Sequence, residues 1–246
     1  TPPASPGPAG FISLPEAIFA ANASPGTKQI EFSPVLAGQP IFLDDNLVLS
    51  GDSIIIDGGG QDIIVSGEVG LEPDIGFEIV SASNRLSGLT IKNYNEYAVV
   101  ISGAGASNNV IQGCTIGTNL LNETSFGNGI SGIHIENGAS NNLIGGSTAA
   151  DRNVISGNTA DGIAIGTDNG TSTGNLIRGN YIGTTVDGTA AVGNGNQGIW
   201  INAAGNVVGG TAAGQGNVIS GTTIWAGIAL ATEASDTLIA GNRIGT

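Results

Sequence analysis

The chain has 246 residues and a formal charge of −14, with six Lys plus Arg against twenty Asp plus Glu. Glycine is in excess at 42 residues without a collagen period, aromatics make up 4%, charged residues 11%, and methionine is absent. So few large side chains exclude an ordinary globular core, and the lack of cation clusters excludes nucleic acid binding.

The first ten residues, TPPASPGPAG, read as a linker or a mature N-terminus. Residues 11–24 are expected to form a short capping helix. Ser13-Leu-Pro-Glu16 has capping-box spacing, and Leu14, Ala17, Ile18 and Ala21 share one face. Such a helix plugs the end of a strand stack, whose open edges otherwise invite aggregation. Residues 28–108 then carry the apolar runs IEF, IFLDD, LVLSG, SIIIDGGG and DIIVSG, read as the N-terminal coils.

Residues 109–246 repeat. The segment 116–136 aligns without a gap on 182–202, and 142–158 on 206–222. A third partial copy closes the chain: NVIQGCTIGT, NLIRGNYIGT and TLIAGNRIGT begin at Asn109, Asn175 and Thr237. Each unit holds short apolar pairs between Gly, Asn, Ser and Thr, the grammar of strands and turns. Three strands per coil make each unit two coils, one with a long loop after IGT and the next with a loop after GG. One strand series is AVVI, GIHI, GIAI, GIWI and GIAL, with Ile133, Ile163, Ile199 and Ile228 as an inward ladder. A second starts at Val110, Leu143, Leu176, Val207 and Leu238, and a third at Ile116, Val154, Ile182, Val218 and Ile244.

Stacked coils would pair each strand in parallel with its equivalent, ~4.8 Å away. Asn109, Asn142, Asn175 and Asn206 each precede the second series and are expected to hydrogen-bond along the axis as a ladder. Gly113, Gly146, Gly179 and Gly210 close that strand, where a turn is expected to need positive φ. These register-locked columns predict an all-β, right-handed parallel β-helix, a single domain over 11–246. The chain ends inside a repeat, which reads as a fragment of a longer array whose C-terminal end stacks on further repeats.

The stretch ISLPEAIFAAN…KQIEF, followed by SIIIDGGG, resembles the N-terminal cap of right-handed β-helix proteins marked by a CSLREA motif. Ser13, Leu14, Glu16, Ala17 and Ile18 match that motif, while Ile12 and Pro15 replace its Cys and Arg. The downstream NVISGN, GIxI and IGT repeats look like coils of large bacterial exoproteins. The resemblance covers nearly the whole chain and implies the pectate-lyase-like superfamily and a secreted or cell-surface location. It implies no activity, because the fold hosts many functions.

Enzymes of that superfamily use carboxylates, a base and often calcium on one face of the coil. Here the middle residue of GIxI is expected to point outward to solvent, giving the column Val100, His134, Ala164, Trp200 and Ala229, without carboxylate, Lys or Arg. Motifs such as DxDxDG and HExxH are missing. Asp44, Asp45, Asp57 and Asp62 sit at strand ends, where Asp commonly serves turns. Cys114 is alone, so it forms no intrachain disulfide. Calcium is compatible with the Asp- and Asn-rich turns, but no motif demands it or any other metal.

The aromatic positions are more suggestive. Trp200 and Trp225 flank consecutive strands of one series, and Asp161 lies just before GIAI, within reach of His134 on the adjacent coil. Exposed indoles stack on sugar rings while acids and amides supply hydrogen bonds. The expectation is therefore a non-catalytic structural or adhesive segment of a secreted or surface repeat protein. Its partners would be glycans, met along His134, Asp161, Trp200 and Trp225, or other surface proteins. A polysaccharide lyase, hydrolase or epimerase is the alternative. No apolar run approaches the ~18 residues needed to span a membrane.

Overall fold

The computed structural model describes residues 12–67, 73–118, 127–166, 171–222 and 224–245. The expected linker at 1–10, Phe11, much of the loop after the first IGT, and Thr246 lie outside the described residues.

The cap forms as its sequence dictates. Helix α1 (Leu14–Asn22) opens on Ser13, whose hydroxyl accepts from Glu16 N–H while Glu16 Oε2 accepts from Ser13 N–H at 2.8 Å. Leu14, Ile18 and Ala21 are buried on the first coil. Asn22 ties the far end down: its amide nitrogen donates to the Val48 carbonyl, and its Oδ1 accepts from Ser50 N–H and Gly51 N–H.

Beyond the cap, strands pair only with those three positions away in sequence, in three parallel sheets of eight, eight and seven strands. Sheet 1 holds Lys28–Glu31, Ile54–Asp57, Arg85–Ser87, Val110–Gln112, Leu143–Gly145, Leu176–Arg178, Val207–Gly209 and Leu238–Ala240. Sheet 2 holds Pro40–Leu43, Ile63–Gly67, Leu89–Lys92, Thr115–Ile116, Val154–Ile155, Tyr181–Ile182, Val218–Ile219 and Arg243–Ile244. Sheet 3 holds Leu47–Leu49, Ile75–Ile79, Tyr97–Ser102, Ser131–Glu136, Ile163–Ile165, Ile199–Ile201 and Ile228–Leu230. This is a parallel β-helix with a short N-terminal helix.

The core is three β-branched columns, one per sheet. Ile111, Ile144 and Ile177 lie on sheet 1; Ile116, Ile155 and Ile182 on sheet 2; Ile133, Ile163 and Ile199 on sheet 3; all are fully buried. Burying each such side chain is worth ~1.5–3 kcal/mol. The first and second strand series pair as expected. The third is shifted by one in alternate coils: Ile116 pairs with Ile155 rather than Val154, and Ile182 with Ile219 rather than Val218. The core column is all isoleucine there, and Val154 and Val218 belong to the outer face.

The asparagine ladder is present and longer than expected. Asn84, Asn109, Asn142 and Asn175 each donate their backbone N–H to the Oδ1 of the next coil's asparagine, ending at Asn206, at 2.8–3.0 Å. Two further ladders occupy the other corners. Asn153, Asn180 and Asn217 run to Asn242 between sheets 1 and 2. Asn128 and Asn158 run to Asn194 between sheets 2 and 3. A corner where the chain turns out of a sheet leaves a backbone N–H without a ladder partner, and a buried N–H must be paired. Where a ladder runs, one asparagine per coil answers that need at its corner.

The glycine column divides in two. Gly113 and Gly179 have positive φ, but Gly146 and Gly210 do not; Gly145 and Gly209 take the left-handed turn in their place. The coils with a loop after GG leave the strand one residue early, at the first glycine of the pair. Gly146 is still needed, since a Cβ there would lie 2.5 Å from Asp151 Cβ.

The first ladder stops where the next coil offers Thr237, whose hydroxyl is buried with no hydrogen-bond partner. Thr237→Asn would place an Oδ1 opposite Asn206 N–H and add one rung. The expected gain is ~1 kcal/mol, read as a rise in urea midpoint at unchanged slope.

Candidate functional site

Sheet 3 presents the residues that the sequence singles out. His134 sits in Ser131–Glu136, in register with Ala164 and, one coil on, Trp200. Asp161 lies two residues ahead of Ile163–Ile165, in the turn above which the next coil places Gln197. Trp225 falls one residue out of that register, because Gly198 N–H donates to the Ala226 carbonyl, so Ala226 and not Trp225 continues the Asp161–Gln197 column.

The outward column is not the solvent-facing strip expected. Val100, His134 and Ala164 retain only 4%, 6% and 2% of their exposure. His134 stacks on Tyr97, with ring centroids 4.6 Å apart and planes tilted 47°. Side chains standing ~4.8 Å apart on a flat sheet cover one another as well as the backbone. Solvent reaches the ends of this layer: Trp200 is half-buried and Trp225 is 60% exposed. The column also extends to Glu78, which pairs with Val100, so a carboxylate does stand on it.

His134 does not take Asp161 as its hydrogen-bond partner. Its Nε2 lies 3.1 Å from Glu136 Oε2, two residues along the same strand and so on the same face. Ser102 Oγ donates to the other Glu136 oxygen at 3.4 Å. Asp161 Oδ1 accepts from Gln197 N–H at 3.0 Å, and burial holds its carboxyl above the usual range despite that bond and the neighbouring His134. The Tyr97 hydroxyl is likewise pushed up, first by burial and then by the charges of Glu96, Glu136 and Asp161. Tyr97 and Glu136 could have been found from the sequence, since they bracket AVVI and GIHI at the two ends of adjacent strands.

Elsewhere the acids are tied into turns. Asp57 accepts from Gly59 N–H and Ser87 Oγ, Asp62 from Thr90, and Asp151 from both donors of Thr148. Arg152 lies 4.1 Å over the Tyr181 ring. Cys114 is buried, which pushes its thiol up to about 12. Among the described residues no group of three or more His, Cys, Asp or Glu is placed to hold a metal ion, and no helix is long and apolar enough to cross a membrane.

Comparisons with family models, with curated proteins and with solved structures return no match. The outer face of sheet 3 offers a half-buried and an exposed indole, the Tyr97 hydroxyl beside His134, and the carboxylates of Glu78, Glu136 and Asp161. That set can stack on a ring and accept hydrogen bonds from hydroxyl or amine donors.

The Asp161 carboxyl gives a stability test. An acid whose folded titration is raised favours folding most in acid, and loses that contribution as pH climbs through its folded range. Asp161→Asn keeps an oxygen for Gln197 N–H and removes the buried charge. The variant is expected to melt higher than wild type at neutral pH, with the gap closing near pH ~3, where both side chains are neutral. Equal melting at both pH values would count against a buried charge at this position.

Proposed function

We propose that this protein is a non-catalytic structural or adhesive segment of a secreted or cell-surface repeat protein, and that the outer face of sheet 3 contacts carbohydrate. Further coils stacking on its C-terminal end, and a right-handed sense of the coil, belong to the same reading. The near-universal hand of parallel β crossovers and the likeness to CSLREA-capped exoproteins support that hand.

One observation carries the reading. The two tryptophans stand on adjacent coils, Trp200 half-buried between the core residues Ile199 and Ile201 and Trp225 60% exposed in the turn ahead of the next strand, so both rings meet water beside a rigid stack. A rigid platform loses little conformational entropy on binding, which suits a surface meant to hold a long polymer through many weak contacts. The asparagine ladders and isoleucine columns supply the stiffness.

A second reading keeps a polysaccharide-active enzyme, favoured by the Tyr97–His134–Glu136 contacts, which resemble an oriented base. Mass spectrometry of products from neutral, amino-sugar and uronate polysaccharides, with and without calcium, separates the two. Under the proposal the substrates are recovered intact, while wild type binds glycans and Trp200→Ala/Trp225→Ala does not. Released oligosaccharides that vanish in His134→Ala would replace it with the enzyme.

A further inference from the structure

The cations of this protein avoid one face. All six of its cationic side chains lie away from the outer face of sheet 3. Lys28, Arg85 and Arg178 are on sheet 1, and Lys92 and Arg243 on sheet 2. Arg152 is at the corner between those sheets, against Tyr181 of sheet 2. The strands of sheet 3 and the turns leading into them carry Asp74, Glu78, Glu96, Glu136 and Asp161. His134, the one side chain on that face able to turn cationic, is already paired with Glu136. Carboxylates also occur off this face, as Glu31 and Asp57 on sheet 1 show, but only sheet 3 carries carboxylates beside the tryptophans with no Lys or Arg among them.

We infer that the outer face of sheet 3 selects polymers of amino sugars bearing free, protonated amines over their neutral N-acetylated counterparts, and rejects polyuronates. The inference rests on the carbohydrate reading above and names its ligand class. A sugar ring stacked on Trp200 places its neighbours one and two coils away, ~5–10 Å along the axis. There Asp161 and Glu136 stand at the two ends of the strands. An ammonium meets a carboxylate with a charge-assisted hydrogen bond, whereas an acetamide offers only a neutral donor. A uronate brings its own negative charge to a protein of charge −14.

The test is NMR titration of the labelled whole chain with three hexamers: glucosamine, N-acetylglucosamine and galacturonate. Glucosamine is expected to bind about fivefold tighter than the N-acetylated hexamer, the scale of one or two partly exposed ion pairs, with no shifts from galacturonate. The preference should shrink in high salt. Trp200→Ala/Trp225→Ala is expected to weaken both amino-sugar hexamers alike. Asp161→Asn/Glu136→Gln is expected to lose the preference, the glucosamine hexamer binding no tighter than the N-acetylated one. Equal affinities in wild type, or a preference that survives Asp161→Asn/Glu136→Gln, overturns the inference and leaves the carbohydrate reading standing. No binding of any hexamer overturns both.

Discussion

Asn175→Ala is expected to destabilise the coil stack by about 3–5 kcal/mol, from the count of buried groups it orphans at ~1–3 kcal/mol each. Asn175 Oδ1 accepts both the backbone and side-chain N–H of Asn142 at 3.0 Å, and its amide nitrogen donates to the Ala139 carbonyl and to Asn206 Oδ1. All three ladder residues are fully buried, so no water replaces the missing amide. The Asn142 side chain keeps its bond to the Ala106 carbonyl, which limits the loss. Each coil contacts mainly its neighbours, so the damage should be local. Hydrogen exchange is expected to rise first in Leu143–Gly145, Leu176–Arg178 and Val207–Gly209. Asn175→Asp sharpens the test, because it keeps the acceptor and replaces the donor with an anion facing the Ala139 carbonyl and Asn206 Oδ1. That carboxyl would titrate high in the folded state, so the variant should be worst at neutral pH and recover in acid, where its proton restores a donor. A flat pH response, or a loss under ~1 kcal/mol, would show that the ladder is decoration rather than support.

Much of this architecture was legible because repetition converts a weak local signal into a strong one. A single GIHI or NLIRG says little, but four copies in phase identify strands, register and inward columns. The same alignment held the two missed ladders. Asn153, Asn180, Asn217 and Asn242 recur before the second-sheet strands, and Asn128, Asn158 and Asn194 before those of the third. They escaped because the neighbouring loops differ in length, so the columns align in space but not at a fixed sequence offset. The glycine turn was misassigned at Gly146 and Gly210 for a related reason. Two adjacent glycines can each adopt positive φ, and only the path of the following loop selects Gly145 and Gly209. The candidate site was less legible. Alternation correctly placed His134 and Trp200 on the outer face, but outward on a strand does not mean exposed on a sheet. Val100, His134 and Ala164 are buried all the same, and the Tyr97 ring that packs on His134 comes from the neighbouring coil, which no periodicity within one strand reveals.

Gly198→Val should be the most damaging change on sheet 3, and it tests why the GIxI strands begin with glycine. The backbone conformation at Gly198 is not the cause, since its φ is not positive. Space is. A Cβ built there would stand 2.6 Å from the Gly227 carbonyl oxygen and 2.6 Å from Ile219 Cγ2. The same crowding recurs at Gly132 against Ile155, Gly162 against Ile182, and Gly227 against Ile244. At this corner the chain passes so close to the second-sheet isoleucine column that any side chain would displace it. Neither the backbone carbonyl nor a fully buried isoleucine can retreat cheaply, so valine should cost more than the ~1–3 kcal/mol of ordinary overpacking. Gly198→Ala isolates the first carbon and should lie between valine and wild type. Gly105→Ala is the control: its φ is not positive, and its Cβ would come no closer than 3.4 Å to the Val80 carbonyl. That change should stay within ~0.5 kcal/mol of wild type. Urea unfolding of the three variants in parallel reads the order directly. If Gly198→Val unfolded with Gly105→Ala, the isoleucine column would be soft at its corners, and the glycines would serve chain flexibility rather than packing.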